Sequence, residues 1–134
     1  MLTFDQAKKQ LLDSLNNVSR LTETIALHEA LGRVLAEDVY ALCDVPLQDN
    51  SAMDGFAVCC ADAERHSTLP ISQKIFAGAA PEIMQPATAV RLFTGSVVPA
   101  YADAVVLQED CIYSESEVTI NEMPVLGQHI RKKG

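Results

Sequence analysis

Only six glycines occur in these 134 residues, and none stands at Walker or dinucleotide spacing, so no backbone cradle for phosphates is encoded. Cys43, Cys59, Cys60 and Cys111 form no Cys-x-x-Cys pair and have no histidine at zinc-ligand spacing, which removes a zinc finger and a thioredoxin motif. There is no Gly-x-Ser-x-Gly elbow, and His28, His66 and His129 are scattered, so Ser-His nucleophilic catalysis lacks its parts. The chain has no long apolar run for a membrane span and no signal-peptide pattern, and a cytoplasmic protein is expected. Basic residues are also scarce. Ten Lys and Arg stand against 18 Asp and Glu, a net charge of −8, and the one basic run is Arg131-Lys132-Lys133. Binding to nucleic acid needs clustered cations, so it is not expected.

What is present suits a folded domain. The chain is 49% hydrophobic and 21% charged, ordinary for a globular protein, and its length fits one domain or two small subdomains. The four cysteines read as reduced thiols in the role of small buried apolar residues. Thr3 and Gln6 have capping-box spacing, and Phe4, Ala7, Leu11, Leu12, Leu15 and Val18 then recur at three- and four-residue steps. This predicts an amphipathic helix of roughly four turns ending near Asn16-Asn17. A second short helix is expected where Glu29, Ala30, Leu31, Val34 and Leu35 follow His28, with His28 on its exposed face and Gly32 weakening it by about 1 kcal/mol relative to Ala.

Residues 38–42 read as a short strand. Period-two segments follow at 56–60, 71–76, 89–93, 104–107 and 118–120, separated by turn chemistry at Leu69-Pro70, Gly78 through Glu82, Gln85-Pro86 and Thr94 through Pro99. Glu64 through Thr68 and Ser114 through Glu117 read as exposed loops. The expected class is α+β: N-terminal amphipathic helices over residues 1–45, then a small antiparallel, barrel-like β-rich body over 46–134.

That body opens with residues 46–58, Pro-Leu-Gln-Asp-Asn-Ser-Ala-Met-Asp-Gly-Phe-Ala-Val, where turn-forming residues shape a loop that carries two carboxylates into a strand. Asp49 and Asp54 are its candidates for chemistry. Asp49-x-Ser51 resembles the start of a calcium loop, but Asp54 stands where the glycine is required and Met53 at a ligand position. Magnesium fits better, because one or two carboxylates plus water and substrate oxygens suffice, and Asp54 and Glu109 are the candidate ligands.

Asp49-Asn50-Ser51-Ala52-Met53-Asp54-Gly55-Phe56-Ala57-Val58 resembles the signature of the MoeA/gephyrin E-domain family, the molybdopterin molybdenumtransferases. Arg91 through Pro99 resembles that family's basic-apolar-Thr-Gly-Ala-x-x-Pro run, and Ala102 through Glu109 its Ala-Asp-Ala-Val-Val-x-x-Glu continuation. Gly127 through Gly134 resembles its Gly-x-Asn-x-Arg-x-x-Gly block. The chain departs at three places: Ser96-Val97-Val98 replaces Ala-Pro-apolar, Cys59 replaces an arginine, and His129 replaces the asparagine.

The resemblance implies insertion of molybdate into adenylylated molybdopterin with release of AMP, assisted by Mg2+. The family's functional loop aspartate maps onto Asp54 and its Thr-Gly threonine onto Thr94, which are the expected catalytic residues. Asp49, Ser51 and Arg131 are the expected substrate contacts. Family members continue into a molybdopterin-binding α/β domain that this chain does not contain, and they form homodimers whose active site lies between that domain and the partner's β-rich domain. The chain is therefore expected to supply one wall of a site; the other reading is a non-catalytic assembly or scaffold module of the same fold.

Overall fold

The computed structural model describes residues 2–15 and 21–134. Two compact units divide it, Met1–Tyr40 and Ala41–Gly134.

The first unit contains α1, Phe4–Leu15. Its start follows the sequence signal: the Gln6 N–H donates to Thr3 Oγ1 at 3.3 Å and the Thr3 N–H to Gln6 Oε1 at 3.0 Å, a reciprocal cap. The expected end at Asn16-Asn17, and Val18, lie outside the described residues. No residue of α1 is buried, and Phe4, Leu11, Leu12 and Leu15 leave an apolar stripe exposed. The expected second helix is replaced by a single 3-10 turn, Leu27–Glu29. Gly32 adopts φ +79°, a left-handed conformation that breaks the run before Val34 and Leu35 can join it. His28 is exposed, but on that turn rather than on a helix. Residues 38–42 form no strand, because no neighbouring strand pairs with them among the described residues.

The second unit is a curled sheet. Its elements are β1 (Asn50–Ser51), β2 (Gly55–Val58), α2 (Cys60–Arg65), β3 (Thr68–Ile75), β4 (Ala89–Leu92), β5 (Ala104–Leu107), β6 (Cys111–Tyr113), β7 (Glu117–Ile120) and β8 (Ile130–Arg131). Six strands hydrogen-bond in the order β5-β2-β4-β3-β7-β6, and β1 pairs with β8 in a separate ribbon. The sheet is mixed rather than antiparallel, because β3 and β4 run parallel. The chain between Ile75 and Ala89 exceeds the roughly dozen residues a parallel crossover needs, where a hairpin would need about two.

Leu69-Pro70 is not a turn but lies within β3. Thr68, Leu69 and Pro70 pair with β7, and from Ile71 onward the strand pairs with β4. Proline has no N–H to donate, so it sits where the strand changes neighbours, and that exchange curls the sheet into a half-barrel.

Strand β2 explains its own sequence. Phe56 and Val58 pack into one core with Leu69, Ala89, Val106 and Val118, while Ala57 packs into a second with Ile75, Met84, Val90 and Val105. A strand buried on both faces has no use for alternating polar residues, hence Gly-Phe-Ala-Val.

The short helix α2 was not legible as such. Cys60 begins α2 rather than ending a strand, and Glu64 and Arg65 complete that helix rather than opening a loop. The cap of α2 is remote: Asp103 Oδ1 accepts the Cys60 N–H at 2.7 Å. Of the four free thiols, Cys59 is buried and Cys60 and Cys111 are half-buried, whereas Cys43 is exposed, contrary to expectation. Burial, then the adjoining Asp103 carboxylate, pushes the Cys60 thiol up to about 12, and burial pushes Cys111 up to about 11, so neither is a ready nucleophile.

Asp62, only 5% exposed, ties α2 to the two loops beside it. Its Oδ2 accepts the Ala87 N–H at 2.7 Å and the Tyr101 hydroxyl at 2.9 Å. Both donors belong to residues with left-handed backbone, φ 54° and 82°. The Ala87 N–H above all, then the Tyr101 hydroxyl, holds the Asp62 carboxyl below its ordinary value. A lowered folded pKa contributes stability that is present above the unfolded value of about 4 and is lost as pH falls through the folded one. Asp62→Asn keeps an acceptor but loses the charge. The stability gap between the parent and this variant is therefore expected to be constant near neutral pH and to shrink below about pH 4. Urea midpoints across that range measure it; a gap that stays constant into acid removes the charge from the account.

Candidate functional site

The loop after Pro46 is held by main-chain bonds from three directions. The Val98 N–H donates to the Asp49 carbonyl at 2.9 Å, the Ser51 N–H to the Ser96 carbonyl at 2.9 Å, and the Ala52 N–H to the His129 carbonyl at 2.8 Å. The departures from the family pattern have physical roles here. Ser96 is fully buried, and its hydroxyl donates to the Ile75 carbonyl at 2.8 Å while accepting the Phe93 N–H at 3.2 Å. His129 has φ 53°, a region where His and Asn are both enriched among non-glycine residues, so the exchange preserves the backbone.

Asp54 and Thr94 are brought together. Both the backbone N–H and the hydroxyl of Thr94 donate to Asp54 Oδ1 at 2.8 Å. These two bonds, the backbone one first, hold the Asp54 carboxyl below the usual aspartate value, so it is ionised at neutral pH. Both donors converge on one oxygen, leaving Oδ2 for another partner.

Glu109 lies in a 3-10 turn, Gln108–Asp110, and shares with Asp54 an open depression of about 400 Å³ lined also by Met53, Leu107 and Gln108. Gln108 links the two acids: its N–H donates to the Asp54 carbonyl at 3.2 Å, and its side-chain Nε2 donates to Glu109 Oε1 at 2.9 Å. That side-chain bond is the main cause of a lowered Glu109 carboxyl. Gln108 Oε1 in turn accepts from Arg91. Two ionised carboxylates facing one open depression match the sparse donor set of magnesium, which keeps several waters. No group of three or more Cys, His, Asp or Glu able to hold a metal exists among the described residues.

The other candidates lie apart from that pair. Asp49 is engaged by the Lys132 ammonium at 2.8 Å and the Lys133 N–H at 2.8 Å, which together lower its pKa, the Lys132 bond most. Ser51 is fully buried, and its hydroxyl donates to the Met53 carbonyl inside the turn. Arg131 sits on β8 opposite Asn50, exposed, with no side-chain bond to the loop carboxylates among the described residues. Lys133 also pairs with Asp44 at 3.0 Å, so two of the three cations of the basic run face acids rather than forming a free tail.

Arg91, Gln108, Lys132 and Lys133 are contacts that sequence reasoning did not single out. The signal for Arg91 was its place three residues before Thr94, and for Gln108 its place beside Glu109.

Residues 2–134 match the family model described as the MoeA N-terminal region, domains I and II. The chain is 40% identical over its whole length to a molybdopterin molybdenumtransferase of Haemophilus influenzae, covering 33% of that protein. It is 34% identical to the protein of that name from Synechococcus elongatus, again over its whole length and 35% of the relative. Among solved structures it resembles a molybdopterin biosynthesis moeA protein from Pyrococcus horikoshii, with TM-score 0.74 and 31% identity, over 84% of this chain and 31% of that one. The chain spans about a third of the length of these relatives. Since the family model takes in all but the first residue, the chain belongs to the MoeA N-terminal region family.

Proposed function

We propose that this chain is the N-terminal part of a molybdopterin molybdenumtransferase and supplies one wall of its active site. The observation that carries the reading is the Asp54 carboxylate, fixed by both donors of Thr94 at the edge of a depression it shares with Glu109. The ionised Asp54 keeps Oδ2 for a water or Mg2+, with Glu109 as second carboxylate. Magnesium held there neutralises charge between anionic oxygens. The Thr94 hydroxyl, now given to Asp54, is the donor that turns to an oxygen of molybdate or of the phosphate on adenylylated molybdopterin. Asp49 and Ser51 keep the loop in shape, and Arg131 offers an exposed cation to the anionic substrate. The opposite wall belongs to an α/β domain that binds the pterin, in a cytoplasmic homodimer.

The test is molybdate- and magnesium-dependent AMP release from adenylylated molybdopterin. The expected outcome is no release by this chain alone and release on adding a separately expressed α/β domain from a family member. AMP from the chain alone overturns the shared-wall reading. The exposed apolar stripe of α1 favours a second reading, a non-catalytic module that assembles through that surface. Silence after mixing, with both parts folded, selects it.

A further inference from the structure

The chain has seven aromatic residues, and four of them, Phe56, Phe76, Phe93 and Tyr113, gather with two cations on one face of the half-barrel. Strand register explains the gathering: Phe56 of β2 stands opposite Arg91 of β4, and Arg91 opposite Lys74 of β3, so the three side chains share a face of adjacent strands. The face opens into a depression of about 710 Å³ lined by Phe56, Ile71, Lys74, Arg91, Phe93 and Tyr113, with Ser114 and Glu115 at the rim.

Each cation is already held in position by rings. The Arg91 guanidinium lies 4.7 Å from the Phe56 ring centre, 5.0 Å from Tyr113 and 5.3 Å from Phe93. The Lys74 ammonium lies 5.4 Å from the centres of both Phe76 and Phe93, which stack at 4.8 Å with an angle of 2°. Arg91 Nη2 donates to Gln108, while Nη1 is buried and donates to no acceptor among the described residues. A buried guanidinium N–H without an acceptor is uncommon in folded proteins, and here the faces of three rings surround it. Phe76 is 56% exposed and Tyr113 49%, so the ring faces are accessible for stacking. In a chain of net charge −8, this local convergence of positive charge runs against the overall field.

We propose that the mouth of the half-barrel binds a flat aromatic ring bearing one anionic group. The ring stacks on Phe93, itself backed by Phe76, and against Tyr113, and the anion sits between the Lys74 ammonium and the Arg91 guanidinium. The site is separate from the acidic rim of Asp54 and Glu109, adjoining it through Phe93 and Gln108, and does not depend on the molybdenum reading.

Three probes added to the 15N-labelled chain test it by amide NMR: naphthyl phosphate, neutral naphthol and inorganic phosphate. Naphthyl phosphate is expected to shift the amides of Lys74, Phe93 and Tyr113 saturably, with each of the other probes at least about tenfold weaker. Lys74→Met and Phe76→Leu alter exposed side chains and are each expected to weaken naphthyl phosphate about tenfold, with the rest of the spectrum unchanged. Naphthol binding as tightly as its phosphate removes the anion from the proposal, and inorganic phosphate doing so removes the ring. Shifts confined to Asp54 and Thr94, or both variants binding like the parent, overturn the site itself.

Discussion

Asp54→Asn in a full-length family member carrying this chain is expected to lower molybdate-dependent AMP release by at least about a hundredfold, a loss of the size seen when one preorganised polar contact to a reacting oxyanion is removed. Stability is expected to hold. The asparagine Oδ1 still accepts both Thr94 donors, and Asp54 is exposed enough that no buried charge is left unpaired. What disappears is the negative charge, and with it the ability of Oδ2 to hold a cation or take a proton. Steady-state AMP release and a thermal melt, run on the same preparation, separate the two effects. A melting temperature that holds while turnover collapses places Asp54 in the chemistry; turnover close to the parent's removes it.

Gly55→Ala, one residue further on, is expected to do the opposite. A Cβ built at Gly55 falls 2.0 Å from the Val106 carbonyl oxygen and 2.9 Å from its carbon, both backbone atoms of the neighbouring strand β5. Neither can move without parting β2 from β5, which pair from Gly55 with Leu107 to Val58 with Ala104. Overpacking in a well-packed interior costs roughly 1–3 kcal/mol, and more where only backbone can yield, so a loss of at least about 3 kcal/mol is expected. The chemical denaturation midpoint measures it. A variant within about 0.5 kcal/mol of the parent means β5 shifts freely, and the pairing is then looser than the geometry states.

The two residues also show how far the sequence could be read. The Asp-Asn-Ser-Ala-Met-Asp-Gly run located the loop because Asp49-Asn50-Ser51 and Asp54-Gly55 are local turn formers, whereas the close approach of Gly55 to Val106 of β5 was not readable. The same holds for Thr3 and Gln6, which cap α1 from three residues apart. What could not be read depends on partners far along the chain. The cap of α2 comes from Asp103, and β8 is two residues that become a strand only by meeting β1. A period of two identifies a strand but not its direction, so the parallel pairing of β3 with β4 was invisible. Arg91 carried no sign that three rings from three different segments would enclose it. Ser51 was expected as a substrate contact on the family resemblance alone; its burial follows from bonds to Ser96 and Met53 that no spacing rule announces.

Strand β2 lies between β4 and β5 and is buried on both faces, and Asp54 is the residue immediately before it. Amide protons in such a strand exchange with solvent only when the whole unit opens, whereas the exposed α1 can fray at little cost. The candidate carboxylate is thus anchored to a strand whose opening requires parting it from two neighbours. Fluctuations that loosen the periphery leave its position unchanged, so a small domain can be locally soft and still present one oxygen atom at a constant place.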